Sequence, residues 1–515
     1  MSQAITLAEA PRATEVEQHG IERIPDKDRQ SGPLDLFRIT FGGANTFATI
    51  ILGTIPIALG LSFWAATAAV VVGVIIGAVI LAPMALFGPR NGTNNAVSSG
   101  AHFGVVGRIV GSYLSLLTAV AFYSISVWVS GDAFVGGAGR LFGVSDSPLF
   151  RGVVYAVFGA IVIVICVYGY QFMLLVNKIV VIAGSVLILL GIFAYASQFS
   201  ASYPGAKSGL ALGSFTATFV TSVLIAMSNP ISFGAFLGDW SRYIPDTYRP
   251  RTLMAAPFLA QIASLLPFLF GVATATLVAD PNDYTAGLVK VSPLWYAVPL
   301  LLVAFLGGMS TGVTSLYGTG LDFSSVFPRL SRVQSTLFIG SLSFAFILIG
   351  RFVFDLVASI NAFATLIVLC TTPWMVIMGF GYFFRRGFYL PEQLQVFNRG
   401  QRGGAYWYAG GINWRAMTAW IVSTALGLCF ANVPPLLAGP FRNAAGGVDI
   451  SLLVTLLAAA VLYVGLLFAR PEPAYVYPPE GPRLLPVRAG TPAPVVDDAG
   501  ASAARVRRRE AATRG

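Results

Sequence analysis

Long apolar runs alternate with short polar segments from about residue 35 to residue 470. Each run is long enough to cross the ~30 Å hydrocarbon core of a bilayer as an α-helix. The first run is the least regular because it begins with polar residues. The pattern predicts twelve membrane-spanning helices, over 35–62, 65–88, 105–137, 152–170, 174–197, 212–237, 252–279, 293–319, 334–354, 359–384, 415–435 and 449–469.

The distribution of Lys and Arg predicts how these spans are oriented. If the N-terminus is cytoplasmic, 26 of the 32 basic residues fall on the cytoplasmic side and 6 on the outside. Cytoplasmic loops of membrane proteins carry such an excess. We therefore predict an even number of spans, both termini in the cytoplasm and a multi-pass protein of the cell membrane. A wrongly assigned span would move every later charge to the other side, so the bias also supports the count.

The two ends of the chain differ in composition from the part between them. Residues 1–34 are polar, and residues 471–515 are rich in Pro, Ala and Arg. Such segments cannot bury enough apolar surface to fold independently. We predict a disordered cytoplasmic tail over 1–34, a twelve-helix membrane domain over 35–470 and a disordered basic cytoplasmic tail over 471–515.

Composition excludes several classes of protein. Hydrophobic residues make up 56% of the chain and charged residues 10%, whereas a soluble domain carries about 25% charged residues. The three cysteines lie singly in apolar runs and the two histidines lie far apart, so no zinc or disulfide framework is expected. The net charge is +10, and the basic residues that produce it lie between and beyond the spans. Contact with anionic lipid explains basic residues at these places better than binding of nucleic acid does.

Two spans contain clusters that break a helix. The first contains Phe41–Thr46 and the sixth contains Ser228–Gly234. These spans are five apart and enter the membrane from opposite sides, as expected for an inverted repeat in which helices 1 and 6 are discontinuous. The alternative is that Gly and Pro serve only packing and kinks, as in many membrane helices.

The eighth span supplies hydroxyl groups that could hold a cation. Ser310, Thr314 and Tyr317 fall near one helix face, with Thr311 and Ser315 on the adjoining face. Together with carbonyls freed by the first break, these oxygens suit a sodium ion. Ser and Thr also bond their own helix or join helices, so structural glue is the alternative.

Aromatic and acidic residues provide further candidates. Phe122 and Ser126 stand one turn apart in the third span, and Phe233 lies in the second break, so a flat heterocycle could stack there. Packing is the alternative for each. Asp132 is the one carboxylate well within a span, so it is a candidate proton carrier or the cap of a polar crevice. The scarcity of acids favours sodium over protons.

Short motifs follow one another in a specific order between about residues 20 and 470. They are Gly20–Pro25, Gly43–Asn45, Phe233–Pro245, Leu316–Leu321, Thr372–Trp374, Arg385–Gly387 and Gly411–Ala416. In this order and spacing, the chain resembles the nucleobase–cation symporter-1 family, particularly its purine–cytosine permease branch.

The resemblance implies an all-α, leucine-transporter-like fold with a five-plus-five inverted repeat followed by two helices. It also implies alternating access around a midplane site. Gly43 and Thr46 carbonyls with Ser310 and Thr311 hydroxyls would hold sodium. The substrate pocket would comprise Asn45, Phe122, Ser126, Phe233 and Ser315, to which the second break adds Asn229.

The sequence departs from the family pattern at four positions. Relatives commonly have Trp near Phe122 and an amide near Ser126, cytosine permeases have Asn near Ser315, and Gly381 replaces an Asp of the tenth span. The loss of amides removes groups that read a nucleobase edge, so a ring other than cytosine is favoured.

Taken together, the sequence predicts a secondary transporter that imports a nucleobase or related heterocycle, including allantoin or hydantoin, with sodium or protons. No cofactor, nucleic acid or obligatory protein partner is predicted. The alternatives are an amino-acid or vitamin symporter of the same fold, an integral membrane enzyme and a membrane sensor. An enzyme would need a cluster of His, Asp or Glu, which the sequence does not show.

Overall fold

The computed structural model describes residues 20–279, 284–327, 330–353, 356–433, 437–488, 490 and 492–498. The helices are α1 (Pro33–Ala44), α2 (Phe47–Ala58), α3 (Phe63–Leu81), α4 (Phe87–Asn91), α5 (Asn95–Ser98), α6 (Gly100–Phe103), α7 (Ile109–Phe142), α8 (Pro148–Tyr168), α9 (Tyr170–Tyr195), α10 (Phe215–Ser232), α11 (Leu237–Ser241), α12 (Pro250–Ala263), α13 (Leu265–Ala275), α14 (Tyr284–Val291), α15 (Leu294–Val326), α16 (Arg332–Val353), α17 (Leu356–Phe384), α18 (Pro391–Leu394), α19 (Trp414–Phe430) and α20 (Ser451–Ala469). Short antiparallel pairs join β1 (Gln401–Arg402) to β4 (Asp497–Asp498) and β2 (Asn432–Val433) to β3 (Leu437–Ala438).

Each of the twelve predicted spans coincides with a helix or a pair of consecutive helices. In the described residues, nine helices are long and apolar enough to cross a membrane, and ten if the bent pair α1–α2 forms one span. The remaining two predicted spans correspond to α16, whose apolar part is Val333–Ala345, and to α19, which has 17 residues. The prediction of an all-α polytopic membrane protein is confirmed.

Burial separates central from peripheral helices. The apolar window of the span formed by α10 and α11 is 89% buried inside the protein, whereas that of α20 is 22% buried. In a bilayer, the faces of α20 that lack protein neighbours contact lipid, and the span containing the second break lies at the centre of the bundle. A break at this depth is tolerated only where protein or a polar cavity surrounds it.

The first span is interrupted at Asn45 and Thr46, where α1 and α2 meet at 56°. Thr46 has an extended backbone and caps α2, because its Oγ1 accepts from the Thr49 amide at 3.3 Å. Gly42 remains within α1 instead of unwinding. A side chain there would overlap Asn177 of α9, so Gly42 allows close packing.

The second interruption lies three residues beyond Pro230, which stays inside α10. Residues 233–236 form tight turns, in which the Phe233 amide bonds the Pro230 carbonyl at 3.2 Å and the Gly234 amide bonds that of Ile231 at 3.0 Å. The chain re-enters a helix at Leu237. Helices 1 and 6 are therefore both discontinuous, as predicted.

Two glycines allow α2 and α13 to touch backbone to backbone. A Cβ on Gly271 would overlap the Ile50 carbonyl oxygen and lie 3.3 Å from Gly53 Cα. A Cβ on Gly53 would in turn overlap the Phe268 carbonyl. Contacts of this kind, between small residues, drive helix association in membranes. The second helix of the first span and part of the seventh span therefore form one packed unit.

We expect Gly271→Ala to separate these helices and lower stability by about 1–3 kcal/mol, because a packed backbone cannot retreat locally. Thermal unfolding of the purified protein measures the effect. Gly465→Ala in α20 is the matched control, since among the described residues no atom lies within 4 Å of a Cβ added there. Equal midpoints for the two variants would show that the close approach is dispensable.

The segment before α1 packs against the loops, although the sequence predicted a disordered tail over 1–34. Ile24 is fully buried, and its amide donates to the Gly92 carbonyl at 2.8 Å. The buried Arg29 guanidinium donates to the carbonyl of Ile244 at 2.6 Å and to that of Pro89. Burial lowers the pKa of Arg29 from its ordinary value. Residues 20–32 are thus held in place, and residues 1–19 lie outside the described residues.

The segment after α20 is also packed where it was predicted to be disordered. Glu472 and Arg385 are each 1% exposed, and their side chains form an ion pair at 2.9 Å. Val476 and Tyr477 are buried as well. The prediction for 471–515 is therefore wrong for 471–488, because buried partners in distant loops compensate for the polar composition. Residues 499–515 lie outside the described residues.

Candidate functional site

A small cavity lies where the two interrupted spans meet α7 and α15. Its volume is about 10 Å³, roughly enough for one water centre. The chain is therefore closed around this point. The lining residues are Gly43, Thr46, Thr49, Phe122, Asn229, Ser232, Phe233, Phe236, Thr311, Thr314 and Ser315.

One wall of the cavity is built from oxygen atoms of α1, α2 and α15. Thr311 Oγ1 donates to the Gly43 carbonyl at 3.2 Å. Gly307 brings α15 against the break, because a Cβ there would lie 2.9 Å from Thr46 Cα. In the described residues no group of three His, Cys, Asp or Glu could hold a metal. The atoms of this wall that could bind a metal ion are uncharged oxygens. Such ligands suit a hard monovalent cation better than a transition metal.

Ser310 lies beside this wall together with Asn177 of α9. Its hydroxyl oxygen is 2.7 Å from the Gly42 carbonyl and 2.7 Å from Asn177 Oδ1. The Asn177 amide nitrogen donates to Met173 O at 2.9 Å, which fixes its oxygen toward Ser310. A single hydroxyl proton can serve only one of the two acceptors. The oxygens of Ser310, Gly42 and Asn177 therefore lie close together with a single hydroxyl proton among them. A nearby cation would stabilise this arrangement.

Asn229 presents an acceptor to the cavity. Its amide nitrogen donates to Thr49 Oγ1 at 3.0 Å across the two interrupted spans. Its amide oxygen is buried and has no hydrogen-bond partner among the described residues. Leaving such an acceptor unpaired costs about 1–3 kcal/mol. A ligand N–H in the cavity would remove this cost.

Two aromatic rings enclose the space. Phe233 lies against α1, since a Cβ on Gly43 would stand 3.2 Å from the Cε1 atom of Phe233. The ring centroids of Phe233 and Trp240 are 5.7 Å apart. Phe122 separates the oxygen-lined cavity from a second small one. The second cavity is lined by Ala48, Leu52, Phe122, Ile125, Ser228, Ile360, Phe363, Ala364 and Ile367. Phe122 is therefore a partition between a polar and an apolar compartment.

Besides Ser310, which lies beside the wall, three predicted residues lie away from the cavity lining. Asn45 turns toward α9 and donates to Ser185 Oγ at 3.1 Å. Ser126 is buried on α7 but does not line the cavity. Asp132 is held by Arg151 and by the Tyr155 hydroxyl, each at 2.5 Å. This engagement favours the capping role over the proton carrier.

Sequence reasoning missed four residues of the site. Thr49, Ser232 and Phe236 line the cavity, and Asn177 supports Ser310. Thr49 stands three residues after Thr46, which is the spacing of a helix cap and could have marked it. Asn177 carries no comparable signal, because only the fold brings α9 against α1.

Comparison with known proteins places these features in context. A family model described as permeases for cytosine/purines, uracil, thiamine and allantoin matches residues 23–455. A putative purine-cytosine permease, YxlA, from Bacillus subtilis is 25% identical over 474 residues, covering 88% of this chain and 96% of the relative. A hydantoin permease from Microbacterium maritypicum is 22% identical over 414 residues, covering 78% of this chain and 81% of the relative.

Solved structures share the fold. The transporter Mhp1 of the nucleobase-cation-symport-1 family, in a closed conformation with bromovinylhydantoin bound, matches with a TM-score of 0.68 and 20% identity. The match covers 89% of this chain and 95% of that one. A Na⁺-coupled sialic acid symporter, in a substrate-bound outward-open state, matches with a TM-score of 0.53 and 15% identity over 88% of this chain and 93% of that one.

Proposed function

Because the chain belongs to the family of permeases for cytosine/purines, uracil, thiamine and allantoin, we propose that it imports a small N–H-bearing heterocycle together with sodium. Membership in a permease family agrees with the prediction of a transporter and not an enzyme. The proposal rests on one observation, the unpaired Asn229 oxygen in a cavity bounded by Phe122 and Phe233. We place the protein in the cell membrane with both termini in the cytoplasm.

Each part of the cavity has a role in transport. Phe122 and Phe233 would stack on a flat ring, and the Asn229 oxygen would accept its N–H. Hydantoin, allantoin, uracil and oxopurines all carry such a donor beside a carbonyl. Thiamine fits less well because it is a cation and the lining residues of the described cavity include no carboxylate. The hydantoin permease and the bromovinylhydantoin complex among the similar proteins support this ring class.

The cation would couple ring binding to closure of the bundle. Gly43 and Thr46 carbonyls belong to the first span, while Ser310 and Thr311 belong to α15. A sodium ion between them would draw these two elements together, and ring binding would do the same from the side of α10. Each ligand would thus favour the conformation that the other needs, which is the thermodynamic requirement for coupling.

Uptake into proteoliposomes tests the proposal directly. A sodium gradient is expected to accumulate at least one labelled ring from a panel of hydantoin, allantoin, uracil and hypoxanthine, and a proton gradient is not. Asn229→Leu should raise the KM for that ring about tenfold, because a buried hydrogen bond is lost. Methylating the ring N–H should weaken binding to the wild type to the same extent but leave the variant unaffected.

Two results would overturn the proposal. One is accumulation of none of these rings under either gradient. The other is equal discrimination against the N-methylated ring by the wild type and Asn229→Leu, which would show that this oxygen does not read the cargo. Thr424→Val is the matched control, since Thr424 is a buried residue of α19 that does not line the cavity.

A further inference from the structure

A larger cavity, which shares no lining residue with the oxygen-lined one, lies where α19 begins and α20 ends. Its volume is about 450 Å³. It is formed by the two helices and by the segment that follows α20. Its lining includes Trp414, Arg415, Thr418, Leu466, Arg470 and Arg488.

Three arginines line this cavity without a carboxylate among its lining residues. The Arg415 guanidinium donates to neutral acceptors, to Pro471 O at 3.0 Å, Asn413 Oδ1 at 3.2 Å and the carbonyl of Arg470. In the part of the chain that the structure describes, neither Arg470 nor Arg488 forms an ion pair with an acid. Arg415 is half-buried and Arg470 and Arg488 are exposed, so three positive charges face one open cavity.

The nearest acid along the chain is already committed elsewhere. Glu472 is 1% exposed and pairs with Arg385 at 2.9 Å. It also accepts from Asn413 at 2.7 Å and from the Tyr477 hydroxyl at 3.0 Å. A bound anion would supply the negative charge that this carboxylate does not offer to the three arginines.

The surroundings of the cavity are those of a membrane interface. Trp414 is the first residue of α19 and is 57% exposed, as are many aromatic residues at the edge of a bilayer. Leu466 lines the cavity from the last turns of α20, and Phe468 nearby is 53% exposed. The cavity therefore adjoins apolar, lipid-facing helix surface on one side and arginines on the other.

From this combination we propose that the cavity binds the headgroup phosphate of an anionic phospholipid. Arg415, Arg470 and Arg488 supply the phosphate-binding forks, and the acyl chains lie along the exposed face of α20. Arg488 is brought into place by the packed C-terminal segment, in which its amide donates to the Glu472 carbonyl at 2.9 Å. The site is independent of the transported ring.

Thermal unfolding of the full-length protein, delipidated in detergent, tests the proposal when one phospholipid is added to the micelles. Phosphatidylglycerol should bind and stabilise the protein, whereas phosphatidylcholine should not. Replacing Arg470 and Arg488 together by Gln should weaken phosphatidylglycerol binding about tenfold or more. Arg251→Gln is the matched control, because Arg251 is an exposed arginine at the start of α12 that does not line the cavity.

Thr418→Trp is a second variant, which fills the exposed mouth of the cavity without changing any charge. It should also weaken phosphatidylglycerol binding, so the test does not depend on the stability of the arginine variants. The proposal fails if both lipids bind equally or if Arg251→Gln causes the same loss as the double variant. It also fails if inorganic phosphate alone stabilises the protein as much as the lipid does, which would indicate a site for the free anion.

Discussion

Replacing Ser310 and Thr311 together by alanine is expected to raise the sodium concentration for half-maximal uptake about a hundredfold. The two hydroxyls lie against the Gly42 and Gly43 carbonyls at 2.7 and 3.2 Å. A hydrogen bond or ligand contact to a charged group is worth about 1.5–3 kcal/mol. When two such contacts are lost, their free energies add and their effects on the sodium affinity multiply. The carbonyls alone would leave the ion without any ligand side chain from α15.

Sodium titration of uptake at a fixed ring concentration measures this effect. The single variant Thr311→Ser keeps the hydroxyl and should retain most of the sodium affinity of the wild type. Ser423→Ala is the control, since its hydroxyl bonds the Ala419 carbonyl of its own helix at 2.6 Å. An unchanged sodium dependence in the double variant would show that the ion binds elsewhere, while leaving the ring-binding proposal open to its own test.

Replacing Glu472 by Gln is expected to destabilise the protein by about 3–5 kcal/mol. This is the usual cost of leaving one charge of a buried ion pair without its partner. Arg385 would keep its bond to the Tyr408 hydroxyl at 2.8 Å but would lose the only carboxylate that pairs with it in the described residues. The variant should also lose phosphatidylglycerol binding, because the same segment carries Arg488.

Thermal unfolding in detergent measures the change in stability. The double replacement of Arg385 by Met and Glu472 by Leu should recover much of the loss, since no charge then remains buried. Glu392→Gln is the control, because Glu392 is 60% exposed and its pairing with Arg399 at 2.6 Å contributes little. If Glu472→Gln were as mild as this control, the C-terminal segment would not be anchored by the pair.

The spans and both interruptions could be predicted from sequence because the bilayer constrains composition so strongly. A polypeptide in hydrocarbon must satisfy its backbone within helices, so apolar length identifies each span. A polar cluster such as Asn45–Thr46 then marks the place where a helix stops. The exact residue was less predictable, since Pro230 lies within α10 and the chain turns only at Phe233.

The candidate site could be predicted only in part because helix rotation decides which polar residue faces inward. Phe122, Asn229 and Thr311 line the cavity. Asn45 instead faces α9, where Ser185 supplies a partner. Each amide nitrogen finds a hydroxyl acceptor in its own direction, Ser185 for Asn45 and Thr49 for Asn229, and composition does not distinguish the two directions.

The packed terminal segments could not be predicted for a different reason. Ile24, Arg29 and Glu472 are buried against residues that lie far away in sequence. Their local composition is rich in charge and proline, which in isolation is typical of disorder. The stabilising partners exist only after the helices have assembled.

The cavity between the two interrupted spans has room for about one water molecule, and this limits the affinity that a ring bound there would show. A planar ring enters only after Phe122 and Phe233 have moved apart, and the work of that expansion is subtracted from the energy of its contacts. The apparent dissociation constant is therefore the intrinsic one divided by the fraction of molecules already expanded. Variants that favour the expanded form of the empty protein would consequently lower the apparent dissociation constant, and they would slow transport because ring and cation must then close the bundle.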